Sequence, residues 1–154
     1  LPNLSKLESL NLSATGLSEV PDLSPFTQLT SLNVSYNIIA DFTALEAHTS
    51  LTELNLQNTT LSELSSVAPL LALTKLDVSA NALTDITVLG ALPNLAQLDI
   101  SSNSGIVSIH PLATSNYLGA GDTVTAYLGD CETYKADLQA LVAKSVTVET
   151  GCAL

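Results

Sequence analysis

Leu73-Thr74-Lys75-Leu76-Asp77-Val78-Ser79-Ala80-Asn81-Ala82-Leu83-Thr84-Asp85-Ile86 is the stretch whose reading decides the fold. Its Leu76-Asp77-Val78 alternation is that of a short strand with one face buried. The chain repeats the pattern every 22 residues: Leu10, Leu32 and Leu54 precede Leu76, and Leu98 follows it. Leu12, Val34, Leu56 and Ile100 keep the same step with Val78. A fixed period of this size, with one strand per copy, predicts a stacked solenoid, because a single coil cannot bury its apolar side alone.

Counting each coil from Leu1, the apolar columns can be followed through the repeats. Column one holds Leu1, Leu23, Leu45, Val67 and Leu89, and column four holds Leu4, Phe26, His48, Leu70 and Leu92. Column seven holds Leu7, Leu29, Leu51, Leu73 and Leu95; columns seventeen and twenty continue the pattern through Leu83 and Ile86. Each buried aliphatic contributes roughly 1.5–3 kcal/mol before chain entropy is subtracted, so every added coil extends one continuous core. Between strand and column seventeen runs Thr15, Asn37, Thr59, Asn81, Asn103. A short amide or hydroxyl there is expected to satisfy the turning backbone of its own and the adjacent coil. The fifth coil carries one extra residue near Gly105, which is expected to absorb it by a bulge or a positive φ.

The pattern LxxLxLxx(N/T)xL, with its trailing apolar residue, resembles the leucine-rich repeat, and the 22-residue period resembles the internalin-like, or SDS22-like, subclass. The resemblance covers residues 1 to about 128. It implies a right-handed α/β solenoid with parallel strands on a concave face and 3₁₀ or irregular turns on the convex side. Family members mostly bind other proteins, so the resemblance also implies a recognition module.

Residues 1–122 read as repeats, five regular and the start of a degenerate one, and residues 123–154 as a C-terminal cap. Thr123-Val124-Thr125-Ala126-Tyr127 alternates as a sixth strand. The run 132–143 reads as a helix with Tyr134, Leu138, Leu141 and Val142 on one face and Asp130 as N-cap. Ser145-Val146-Thr147-Val148 returns as a strand. This arrangement resembles the C-terminal caps of bacterial secreted leucine-rich-repeat proteins. Cys131 and Cys152 are the only cysteines. Their spacing suits one disulfide, worth roughly 3 kcal/mol and implying an oxidising, secreted or surface location; two free buried thiols are the alternative. At the front, Leu1 and Leu4 fall on core columns with no earlier coil to stack on. The chain thus reads as a processed or excised piece whose first edge another domain or subunit covers.

Four lysines, no arginine and fifteen acidic residues give a net charge of −11. That charge excludes a basic phosphate-binding face and an anionic-membrane surface. No run approaches the roughly 20 apolar residues of a membrane span. His48 reads as a half-buried ring satisfied by a carbonyl, and His110 precedes Pro111 at a turn. Neither has a nucleophile in phase, so no enzyme, cofactor or metal is expected.

The candidate binding face is the outward side of the strands. It comprises Ser31, Asn33, Ser35, Tyr36, Glu53, Asn55, Gln57, Lys75, Asp77, Ser79, Gln97, Asp99, Ser101 and Tyr127. Glu53 and Lys75 are expected to pair across neighbouring strands. Glu19, Asp41, Glu63 and Asp85 form a second acidic column, expected to cap the turns that follow. Asn3, Asn11, Asn33 and Asn58 stand in N-glycosylation acceptor triplets, two of them by-products of the Asn-Leu-Ser repeat.

Overall fold

The computed structural model describes residues 4–154; Leu1 and Asn3 lie outside the described residues. Seven three-residue strands form one parallel sheet in chain order: β1 (Ser9–Asn11), β2 (Ser31–Asn33), β3 (Glu53–Asn55), β4 (Lys75–Asp77), β5 (Gln97–Asp99), β6 (Thr123–Thr125) and β7 (Thr147–Glu149). Leu10 pairs with Leu32, Leu32 with Leu54, Leu54 with Leu76 and Leu76 with Leu98, so residues 22 apart are neighbours in the sheet. The register continues into the degenerate region, where Leu98 pairs with Val124 and Val124 with Val148. Return segments carry 3₁₀ turns at Leu4–Lys6, Thr43–Ala47, Ser65–Val67 and Thr87–Ala91, and one helical turn, α1 (His110–Ala113).

The inward columns make a single core running through every coil after the first, with Leu29, Leu51, Leu73, Val34, Leu56 and Val78 fully buried. The column of Thr and Asn supplies the internal polar links. Asn103 is buried, donates from Nδ2 to the carbonyls of Ile100 and, one coil back, Val78, and accepts at Oδ1 from Leu83 N–H. Asn37 and Asn81 repeat this bridge, whereas the Thr15 hydroxyl donates to Leu12 within its own turn and the Thr59 hydroxyl to Leu56 and, at 3.3 Å, to Asn81 Oδ1 of the next coil. A second ladder was not foreseen: the hydroxyls of Thr30, Thr52 and Thr74 each donate to a carbonyl one coil back.

Gly105 does not take the positive φ expected of it. A Cβ there would sit 2.9 Å from the Leu83 carbonyl oxygen and 2.9 Å from Thr84 Cγ2, so its requirement is room. The cap follows with α2 (Cys131–Ala143), whose Tyr134, Leu138 and Leu141 are buried against the last coil. Val142 is 49% exposed and lies off that face, contrary to the helical-face expectation. Asp130 caps the helix, accepting from Glu132 N–H at 3.1 Å and from the Thr133 hydroxyl at 2.7 Å. Cys131 and Cys152 are disulfide-bonded, with their Cα atoms 5.3 Å apart.

Candidate functional site

The outward sheet face is shaped by one local device used five times. Asn11, Asn33, Asn55, Asp77 and Asp99 each turn Oδ1 toward the backbone N–H two residues on, at 2.8–2.9 Å. This side chain–backbone turn ends the strand. The residue directly after that N–H, Ala14, Tyr36, Asn58, Ala80 or Ser102, then takes φ of 52–57°, and the chain bends away from the sheet. Small or polar residues tolerate that conformation most readily. Tyr36 is the bulky exception, and its ring is 54% exposed.

Fourteen residues were expected on this face, and their availability differs. Glu53, Lys75 and Gln97 are exposed; Ser31, Asn33, Asn55, Gln57, Asp77 and Asp99 are half-buried. Ser35, Ser79 and Ser101 are buried. The Ser79 hydroxyl donates to Asp77 at 2.6 Å, and Ser101 Oγ accepts from Tyr127 N–H at 3.1 Å. These serines hold the turn and offer little to a ligand. Glu53 and Lys75 sit side by side in register without forming the expected ion pair: Glu53 instead accepts from Ser31 Oγ at 3.4 Å. The ion pairs among the described residues are His110–Asp137 and Lys135–Glu132.

Two shallow hollows open on the face and share Lys75 and Asp77. One, of ≈ 310 Å³, lies over β2–β4; the other, of ≈ 390 Å³, lies over β4–β7 and is lined further by Gln97, Asp99, Thr123, Thr125 and Glu149. Glu149 comes from the cap strand, and the repeat columns did not point to it. The signal available was the alternation of Thr147-Val148-Glu149 in step with the strand before it. Tyr127 follows β6 on the outward side and is 53% exposed.

Away from the sheet, Asp41 and Asp85 cap the following turns as expected, accepting from Thr43 and Thr87 N–H at 2.8 Å. Hydrogen bonds from Thr43 to Asp41 and from Thr87 to Asp85 hold both carboxyls below the usual aspartate range. Glu19 and Glu63, one methylene longer, make no such bond. The His48 ring is half-buried without the expected carbonyl partner, and hydrogen bonds from Ser24 hold the neighbouring Asp22 carboxyl below the usual aspartate range. His110 begins α1 and places Nδ1 3.0 Å from Asp137 on α2, a long-range pair no local pattern announces. Among the described residues no group of three His, Cys, Asp or Glu side chains is placed to hold a metal ion. None of their helices is long and apolar enough to cross a membrane.

The class defined by this coil-on-coil sheet is the leucine-rich-repeat solenoid, and solved structures of that class superpose on the chain. An internalin of Listeria monocytogenes matches with a TM-score of 0.67 at 18% identity, over 95% of this chain and 48% of that one. A leucine-rich-repeat protein of Leptospira interrogans matches with a TM-score of 0.73 at 21% identity, over 95% of this chain and 37% of that one. A plant peptide hormone receptor, solved in complex with RGF2, matches with a TM-score of 0.60 at 21% identity, over 92% of this chain and 24% of that one. The chain therefore spans about half or less of the length of these neighbours, and identities of this order establish the fold alone. No protein-family model and no curated protein matches the chain.

Proposed function

We propose that the chain is a secreted or surface-displayed recognition module that binds a protein through its sheet face or the flanks of that face. One observation carries the reading: the outward face is open along seven strands and holds hydrogen-bonding side chains that the fold leaves uncommitted, Gln97 and Lys75 foremost. A face of that kind forms a wet, polar contact. The disulfide of the cap supports an oxidising location. The receptor complex among the structural neighbours is the same architecture engaged with RGF2.

The test is retention of cells or matrix proteins on the immobilised chain, compared with two blocked variants. Ser31→Arg with Gln97→Arg crowds the sheet face, and Val107→Arg crowds the flank. Loss with the first variant alone assigns the face, loss with the second alone assigns the flank, and no retention by any form removes the recognition reading.

A structural reading from a different class has its own support. In the first coil Leu4 is 40% exposed and Leu7, Leu10, Leu12 and Leu17 are half-buried, whereas their in-phase partners Leu29, Leu32, Val34 and Ile39 are buried. An apolar edge of this kind suits stacking on another domain or protomer, with the repeats as spacer or assembly unit. Light scattering separates the two: concentration-dependent association abolished by Leu10→Asp supports assembly, and a monomer at every concentration removes it.

A further inference from the structure

We propose that the β4–β7 part of the unpartnered sheet face is the docking surface for an extended, Lys- or Arg-bearing segment of a protein, an inference that rests on the recognition reading above. Asp77, Asp99 and Glu149 stand in one column across this part, with Thr125 between the last two. Asp77 and Asp99 commit Oδ1 to the turn, and Glu149 commits Oε2 to the Thr125 hydroxyl. Each keeps a second carboxylate oxygen that no protein donor satisfies, beside a hollow of ≈ 390 Å³. The column contains no cation, and none of the three carboxylates is in an ion pair.

Three further observations select the partner. Tyr127 stands two residues past β6, at the edge of the face and beside the disulfide cap rather than in the hollow itself, where the in-phase residues are Ser13, Ser35, Gln57, Ser79 and Ser101. Its exposed ring has no role in the turn, which uses only its backbone, and a ring in that place attracts a guanidinium or ammonium. The spacing suits an extended chain: strands lie about 4.8 Å apart, so Asp77 to Glu149 spans about 14 Å, close to the roughly 13.5 Å between side chains i and i+4 of a strand. Basic side chains at i and i+4 would thus meet Asp77 and Glu149, and one at i+2, about 6.8 Å along, would fall between Asp99 and Thr125, within reach of the Asp99 carboxylate for a long side chain. The same charge repels nucleic acid and anionic lipid, which leaves a cationic polypeptide as the complement.

The probe is a capped peptide of alternating Arg and Ser, titrated into the ¹⁵N-labelled full chain at low salt, with an alternating Glu and Ser peptide as control. Asn11, Asn33 and Asn55 show that Asn serves in the turn as well as Asp does, so Asp77→Asn and Asp99→Asn keep the strand ends intact. Shifts are expected at the amides of Gln97, Thr125 and Tyr127. Affinity should fall at least tenfold in the D77N/D99N/E149Q variant and severalfold in Y127A. It should fall less than twofold in E19Q/E46Q/E63Q, which removes equal charge away from the sheet. Equal losses in both triple variants, or shifts confined to other surfaces, overturn the proposal. If the peptide does not bind while cells or matrix are still retained through the sheet face, the recognition reading stands and the cationic partner falls.

Discussion

At the residue scale, the interior polar column is where one side chain has the largest effect. Asn103 is fully buried and serves four backbone groups on two coils. Asn103→Ala is expected to cost roughly 2–4 kcal/mol in urea unfolding, since several buried partners lose their bonds together. Gly90 is constrained differently: a Cβ would lie 2.3 Å from the Pro111 carbonyl oxygen, so the two turns touch backbone to backbone. Gly90→Ala should therefore destabilise by more than about 2 kcal/mol, with the melting temperature as readout, although the residue is not in the sheet. The column of Thr and Asn was legible in the sequence because its role recurs at every coil. The requirement at Gly90 was not, because it depends on a neighbour 21 positions on that is close only after stacking. The Glu53–Lys75 pair was misjudged for a related reason: register placed the two together, but exposed side chains gain little from pairing in water.

At the scale of elements, the carboxylates that cap turns give the chain an acid limit. Hydrogen bonds from Ser24, Thr43, Thr87 and, at the start of α2, Thr133 and Glu132 lower the carboxyls of Asp22, Asp41, Asp85 and Asp130. A depressed folded pKa contributes stability that is present above the ordinary aspartate value of about 3.9 and is lost as pH falls through the lower folded values. Melting temperature should accordingly hold steady from neutral pH to about 4 and decline below it. Asp130→Ala should lower the melting temperature by removing the cap of α2. Reduction of the disulfide should cost roughly 3 kcal/mol, read as faster amide exchange in α2 and β7 ahead of the repeats. The helix and its cap were readable from Asp130 and the apolar spacing. The contacts that seat the helix, Tyr134 hydroxyl to the Ile106 carbonyl and His110 to Asp137, join residues 28 and 27 apart and leave no local trace.

At the scale of the whole molecule, the repeat period carries nearly all of the architecture. Each strand is too short to hold alone, and from β1 to β5 its partner is found by counting 22 residues. The sheet face followed from alternation, and so did most of its residues. What alternation could not reveal is how much of each side chain the turn consumes, which removes Ser79 and Ser101 from the available surface and leaves Gln97 on it. Nor did the period reach into the cap, where β7 adds Glu149 to the face by pairing in register with β6.

Methyl–methyl nuclear Overhauser spectroscopy on the chain with labelled leucines interrogates the stacking most directly. The account predicts a relay of cross-peaks from Leu32 to Leu54 to Leu76 to Leu98, each residue seeing the next in the relay and none skipping one. A Leu54 methyl without a cross-peak to Leu76 would contradict the stacked coils and, with them, the face assembled on their edges.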